Sequence, residues 1–99
     1  MEYRTLGRTG IQVSRLCFGT MSFGDDADAA MSEAMFRRCR DVGINFFDCA
    51  NVYANGESEV LLGQFAASCR DALVLTSKVC MPRGEQVNDR GLSRRNIML

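Results

Sequence analysis

The hydrophobic residues of the chain change their spacing several times, and each change marks an element. Met31, Ala34, Met35, Cys39 and Val42 recur at i, i+3, i+4, i+8 and i+11, the spacing of one helical face. Ser32 to Asp41 supplies the polar face, with Glu33 and Arg37 one turn apart where opposite charges attract. Gly43 stands where a helix favours a glycine to stop. Ile44 to Phe47 is then an almost wholly apolar run that ends abruptly at Asp48, and it reads as a buried strand with an acid at its end. After the Asn55-Gly56 turn, Glu57-Ser58-Glu59 opens a second helix, its acids suited to a helix N-terminus. Leu61, Leu62, Phe65, Ala66 and Cys69 form its apolar face. Ala72-Leu73-Val74-Leu75 is apolar without alternation, as in a strand covered on both faces of a parallel sheet.

The flanks complete the order. Residues 3–15 hold two short segments around Gly7-Arg8-Thr9-Gly10, which suggests a β-hairpin. Leu16-Cys17-Phe18 reads as a short buried strand stopped by Gly19-Thr20, and Met21 to Asp28 as a loop. Met81 to Gly91 is a polar loop, and Ser93 can cap a third helix that begins at Arg94-Arg95. Strands and helices alternating with short links predict right-handed βαβ units and a parallel sheet. A helix that has barely begun at Leu99 predicts a truncated pattern. Three parallel strands leave both sheet edges unpaired, so self-association through those edges is expected.

Composition narrows the function. Ninety-nine residues with 12 basic and 12 acidic side chains suggest one small domain or a piece of a larger one. Zero net charge argues against nucleic acid and anionic membranes as partners. No apolar run approaches the roughly 18 residues that span a bilayer, and the polar start lacks the apolar stretch of a signal peptide. The expected location is therefore cytoplasmic. Five cysteines, no histidine and no C-x-x-C pair predict no metal site and reduced, mostly buried thiols. Cys49, beside Asp48, is the thiol singled out for oxidation.

In parallel α/β folds, ligands bind outside the carboxyl ends of the strands. Asp48 stands there, Tyr53 lies in the following loop, and Lys78 follows the Ala72–Leu75 run. The expectation is that each lies at or just past the end of a different strand, on one common rim. The three groups suit carbonyl reduction by hydride. Charge builds on the carbonyl oxygen, and a nearby acid must supply a proton. A phenol can donate it, an ammonium stabilises the phenolate left behind, and a carboxylate holds the ammonium in place.

With these residues in view, the chain resembles the N-terminal part of an aldo-keto reductase. The resemblance rests on Arg4-Thr5-Leu6-Gly7 with Gly10, Phe18-Gly19-Thr20-Met21 with Gly24, and Gly43-Ile44-Asn45-Phe46-Phe47-Asp48. It continues through Tyr53, Gly56-Glu57-Ser58-Glu59 with Leu62-Gly63, Thr76-Ser77-Lys78, and Gly91-Leu92-Ser93-Arg94-Arg95. Each segment is weak alone; the ordered set is specific. It implies residues 1–99 as part of a (β/α)₈ TIM barrel, a hairpin followed by about three parallel β/α units. It implies an NADP(H)-dependent oxidoreductase acting on aldehydes or ketones, with catalytic Asp48, Tyr53 and Lys78. Tyr53 would be the proton donor, Lys78 would tune it, and Asp48 would pair with Lys78. The resemblance also places Gly19, Thr20, Met21 and Asp48 at the cofactor.

Three features depart from the family's pattern. The family's catalytic histidine lies on the next strand and the chain contains no histidine. Most NADP phosphate and adenine contacts come from the last strands and loops. In many relatives a histidine follows Ser-Arg-Arg, where this chain has Asn96; that position is not the catalytic one. The expectations are that the isolated chain is inactive and binds NADPH weakly or not at all. The alternative is a truncated, non-catalytic product acting as an interaction or regulatory fragment.

Overall fold

A computed structural model of the chain describes residues 1–98. The hairpin forms from β1 (Tyr3–Thr5) and β2 (Gln12–Ser14), antiparallel with Arg4 opposite Val13. The parallel sheet consists of β3 (Phe18–Gly19), β4 (Phe46–Asp48) and β5 (Val74–Thr76), with β4 in the centre. Helix α1 (Ala29–Asp41) links β3 to β4, α2 (Glu57–Ala66) links β4 to β5, and α3 (Arg94–Met98) follows. The expected order of hairpin and βαβ units is therefore present. Among the described residues, β3 and β5 pair on one side only. No described helix is long and apolar enough to cross a membrane.

Asn45, the polar residue inside an apolar run, ties the hairpin to the sheet. Its Oδ1 accepts from Ser14 N at 2.7 Å and its Nδ2 donates to Gln12 O at 3.0 Å. Tyr3 adds a hydrogen bond from its hydroxyl to Gly43 O at 2.7 Å. Gly43 has φ +88°, and a Cβ there would lie 2.9 Å from the Tyr3 hydroxyl oxygen. Both its backbone conformation and this close approach thus require glycine.

The core lies between the sheet and the two helices. Phe47 on β4 is fully buried, with ring centroids 5.0 Å from Phe36 and 6.1 Å from Phe18. Leu61, Leu62 and Ala66 of α2 pack into the same cluster. Side chains alternate along a strand, so Asp48 points to the opposite face from Phe47. There the register sets Gly19, Asp48 and Thr76 side by side across the three strands.

Several boundaries and faces differ from the sequence reading. Leu16 and Cys17 are exposed and the strand begins at Phe18. The Ala72–Leu75 run starts pairing only at Val74. On α1 the buried residues are Ser32, Phe36 and Cys39, while Met31 and Val42 are exposed and Ala34 faces solvent. Ser32 was placed on the polar face, but its hydroxyl donates to Ala27 O at 3.2 Å, which makes burial tolerable. Phe23, in the segment read as loop, is fully buried and meets Phe18 and Phe65. The second helix gives way after Ala66 to a 3₁₀ turn, broken at Cys69 by φ −140°. Cys69 is half-buried against the core from that turn.

Candidate active site

Two backbone bonds carry the sheet ladder past its formal end and so build the site. Cys49 N donates to Thr76 O at 2.8 Å, and Asn51 N donates to Lys78 O at 3.0 Å. The segments after β4 and β5 therefore run alongside each other, and Asp48 and Lys78 face one another across them. Tyr53 follows on the same connection as Asp48, not after a separate strand. The rim thus takes Asp48 from the end of β4, Tyr53 from the β4–α2 connection and Lys78 from just past the end of β5. The loop turns back through Ala54 (φ 47°), Asn55 (φ 54°) and Gly56 (φ 99°), three left-handed residues in succession. Two are not glycine, a conformation that costs on the order of 1 kcal/mol or more each. Arg83 in the Met81–Gly91 loop caps this turn, its Nη2 donating to Asn55 O at 3.2 Å.

All three protons of the Lys78 ammonium have a partner. Nζ donates to Asp48 Oδ2 at 2.6 Å, to Cys49 O at 2.6 Å, and to the Tyr53 hydroxyl oxygen at 3.1 Å. The second carboxylate oxygen of Asp48 accepts from Thr76 Oγ1 at 2.7 Å. Because Lys78 is the donor to the phenol, it does not consume the phenol's own hydrogen. That hydrogen is free to point at a third group.

The charges reinforce each other. The hydrogen bond from Lys78, and after it that from Thr76, holds the Asp48 carboxyl below the usual carboxylate range. The hydrogen bond to Asp48 in turn raises Lys78 above the usual ammonium range. The side chains are 49% exposed for Lys78 and 34% for Asp48, so solvent screens the pair and its worth to stability is modest. The two shifts report one interaction. A depressed acid contributes stability above the ordinary carboxylate pKa and loses it as pH falls through its folded value. A raised ammonium contributes below its ordinary pKa and loses it as pH rises through its folded value. Thermal melting of the parent and of Lys78→Met should therefore differ by a constant amount across neutral pH. The difference should shrink in acid as Asp48 protonates, and again in strong base. A gap unchanged into acid would show that the ion pair does not form.

The cofactor residues expected from the sequence have different surroundings. Gly19 and Met21 are exposed, whereas Thr20 is fully buried and its hydroxyl donates to Asp48 O at 3.1 Å. A Cβ added to Gly19, which pairs with Asp48 across the sheet, would meet nothing within 4 Å. The thiols are less enclosed than the sequence suggests: Cys39 and Cys49 are buried, Cys69 is half-buried, and Cys17 and Cys80 are exposed. Cys49, singled out for oxidation, is shielded from solvent with 2% exposure. Sequence reasoning gave no role to Thr76, to the Cys49 carbonyl or to Arg83. For Thr76 a signal existed, since it precedes Lys78 by two and so shares its strand face.

The sequence profile described as the Aldo/keto reductase family matches residues 15–98. The chain belongs to the aldo/keto reductase family. It is 41% identical over 102 residues to a probable voltage-gated potassium channel subunit beta of Oryza sativa subsp. japonica, covering 99% of this chain and 31% of that protein. It is 44% identical over 89 residues to the uncharacterized oxidoreductase YrpG of Bacillus subtilis, covering 83% of this chain and 27% of that protein. Among solved structures, the aldo-keto reductase AKR11C1 from Bacillus halodurans, in its holo form, superposes with TM-score 0.75 at 30% identity. That match covers 87% of this chain and 29% of the other. A putative aldo-keto reductase from Pseudomonas aeruginosa gives TM-score 0.71 at 39% identity, over 79% of this chain and 31% of its own. This aldo/keto reductase chain thus spans about a third of the length of the curated relatives it matches. Its hairpin and parallel β/α units correspond to the N-terminal portion of the family's barrel.

Proposed function

We propose that residues 1–99 carry the proton-transfer half of an NADP(H)-dependent carbonyl reductase site, within a barrel completed by further β/α units. The observation that carries this reading is the bond from Lys78 to the Tyr53 hydroxyl oxygen, made while Asp48 grips the same ammonium. When bound, the nicotinamide supplies a hydride to the carbonyl carbon of an aldehyde or ketone. Tyr53 gives its proton to the carbonyl oxygen as charge builds there, and Lys78 stabilises the phenolate that remains. Asp48 favours the charged form of Lys78 and keeps it aimed. The Gly19–Met21 turn and Asp48 would border the nicotinamide end, and nothing within 4 Å of a Cβ built on Gly19 obstructs that approach.

The test joins residues 1–99 to the C-terminal two-thirds of an active relative. Such a barrel should reduce a generic aldehyde at the expense of NADPH; a folded barrel without that activity would sink the proposal. The 99-residue chain by itself covers 29% of the holo-form neighbour's chain, so it offers few of the contacts a dinucleotide needs. We expect NADPH fluorescence to show no saturable binding to it in the micromolar range. Saturation there would reveal a cofactor site within these residues alone.

A further inference from the structure

Ser58 has no part in the proton path described above, yet it is fully buried beneath it. It is the second residue of α2, and the helix brings it against two other segments at once. Its hydroxyl donates to Thr20 O at 2.7 Å and lies 3.0 Å from Thr20 Oγ1. Cys49 Sγ lies 3.3 Å from Ser58 Oγ. Thr20 carries the link onward, because its N at 2.9 Å and its Oγ1 at 3.1 Å both donate to Asp48 O. Thr20 therefore grips the Asp48 carbonyl from below, and Ser58 holds Thr20 while touching the Cys49 side chain. Above, Asp48 and Cys49 present two of the three acceptors of Lys78. A buried hydroxyl is retained only with partners, and every partner here belongs to the segments that shape the rim.

We propose that Ser58 is a positioning residue: from inside α2 it holds Thr20, which bonds the Asp48 carbonyl, and the Cys49 side chain, and so fixes the segment whose acceptors aim Lys78 at Tyr53. The proposal rests on the reading of Asp48, Tyr53 and Lys78 as the reductase machinery. Without the Ser58 hydroxyl, Thr20 O keeps only the Phe23 N–H as a donor, and the tie from α2 to the Thr20 turn is lost. The short bonds to Lys78 then lengthen, and the ammonium loses part of its reason to stay protonated.

The sequence offers a direct readout, since Lys78 is the chain's only lysine. Lysine labelled with ¹³C at Cε gives one NMR signal, whose pH titration reports the Lys78 ammonium in the 99-residue chain without cofactor or substrate. Asp48→Asn sets the scale by removing the main partner and lowering the midpoint. Ser58→Ala is expected to lower it part of the way toward that value. Thr20→Val, which cuts the same link one step nearer Asp48, should do the same. Ser32→Ala removes an equally buried hydroxyl that bonds only Ala27 O. It should reduce stability and leave the Lys78 midpoint in place. A folded Ser58→Ala chain with the parental midpoint overturns the proposal, as does an equal shift in Ser32→Ala. Unfolding of both Ser58→Ala and Thr20→Val also overturns it, by making the link a folding element and not a tuning one. Because no turnover is read, an inactive joined barrel would count against the reductase reading and leave this result standing.

Discussion

Tyr53→Phe in a barrel that carries residues 1–99 should lower carbonyl reduction by about 10²- to 10⁴-fold, the usual loss when a positioned general acid is removed. The substitution deletes one oxygen and keeps the ring. The only side-chain hydrogen bond recorded for that oxygen among the described residues is the one it accepts from Lys78 at 3.1 Å. Folding should therefore survive while the proton source is lost. Lys78→Met should be comparably severe for a different reason: it empties three hydrogen-bond positions at once. The phenol loses the cation that stabilises its conjugate base, and Asp48 loses the hydrogen bond that holds its carboxyl below the usual carboxylate range. Arg37→Gln, at a 73% exposed side chain on α1, serves as the unaffected control. The measurement is NADPH oxidation by the four proteins with a common aldehyde, with circular dichroism confirming that each is folded. Near-parental turnover in folded Tyr53→Phe would mean that another group donates the proton.

The positions of Asp48 and Lys78 were legible in the sequence because strand ends are visible as the points where apolar runs stop. Ile44–Phe47 stops at Asp48, and Lys78 comes just after the run ending at Leu75. The βαβ order was legible for the same reason. Less legible was which face each element buries. The buried residues of α1, Ser32, Phe36 and Cys39, follow the i, i+4, i+7 rule, but the rule begins on a serine. The same difficulty recurs across the molecule. Ser14, Thr20, Ser32 and Ser58 are all buried, and each donates its hydroxyl proton to a backbone carbonyl, of Leu16, Asp48, Ala27 and Thr20 respectively. A hydroxyl satisfied in this way packs like a small apolar group. Pattern reading counts it as polar, so the support beneath the site stayed hidden while the charged groups above it did not. Phe23 escaped for a complementary reason: it sits between Ser22 and Gly24, just before two aspartates, in an irregular segment, where no period points inward.

Phe47→Ala should cost about 3–5 kcal/mol of folding free energy, the range for deleting a large aromatic side chain from a packed core. Phe47 is fully buried on the central strand, its ring lies against Phe18 and Phe36, and α1 and α2 close over it. No neighbour can slide in, because β4 is held by hydrogen-bonded strands on both sides. A small domain has about 5–15 kcal/mol in total, so this one change removes a large share of it. The exposed Val87→Ala, at 82% exposure, should stay within about 0.5 kcal/mol of the parent. Urea unfolding followed by circular dichroism gives both values, with equal slopes required for the comparison. The site should respond as well, since Phe47 precedes Asp48 and fixes which face of the sheet the carboxylate occupies. In Phe47→Ala the Lys78 titration should broaden and drift toward that of an ordinary lysine even below the unfolding transition. A loss of less than about 1 kcal/mol, below the range for such truncations, would place the centre of the core elsewhere than at β4.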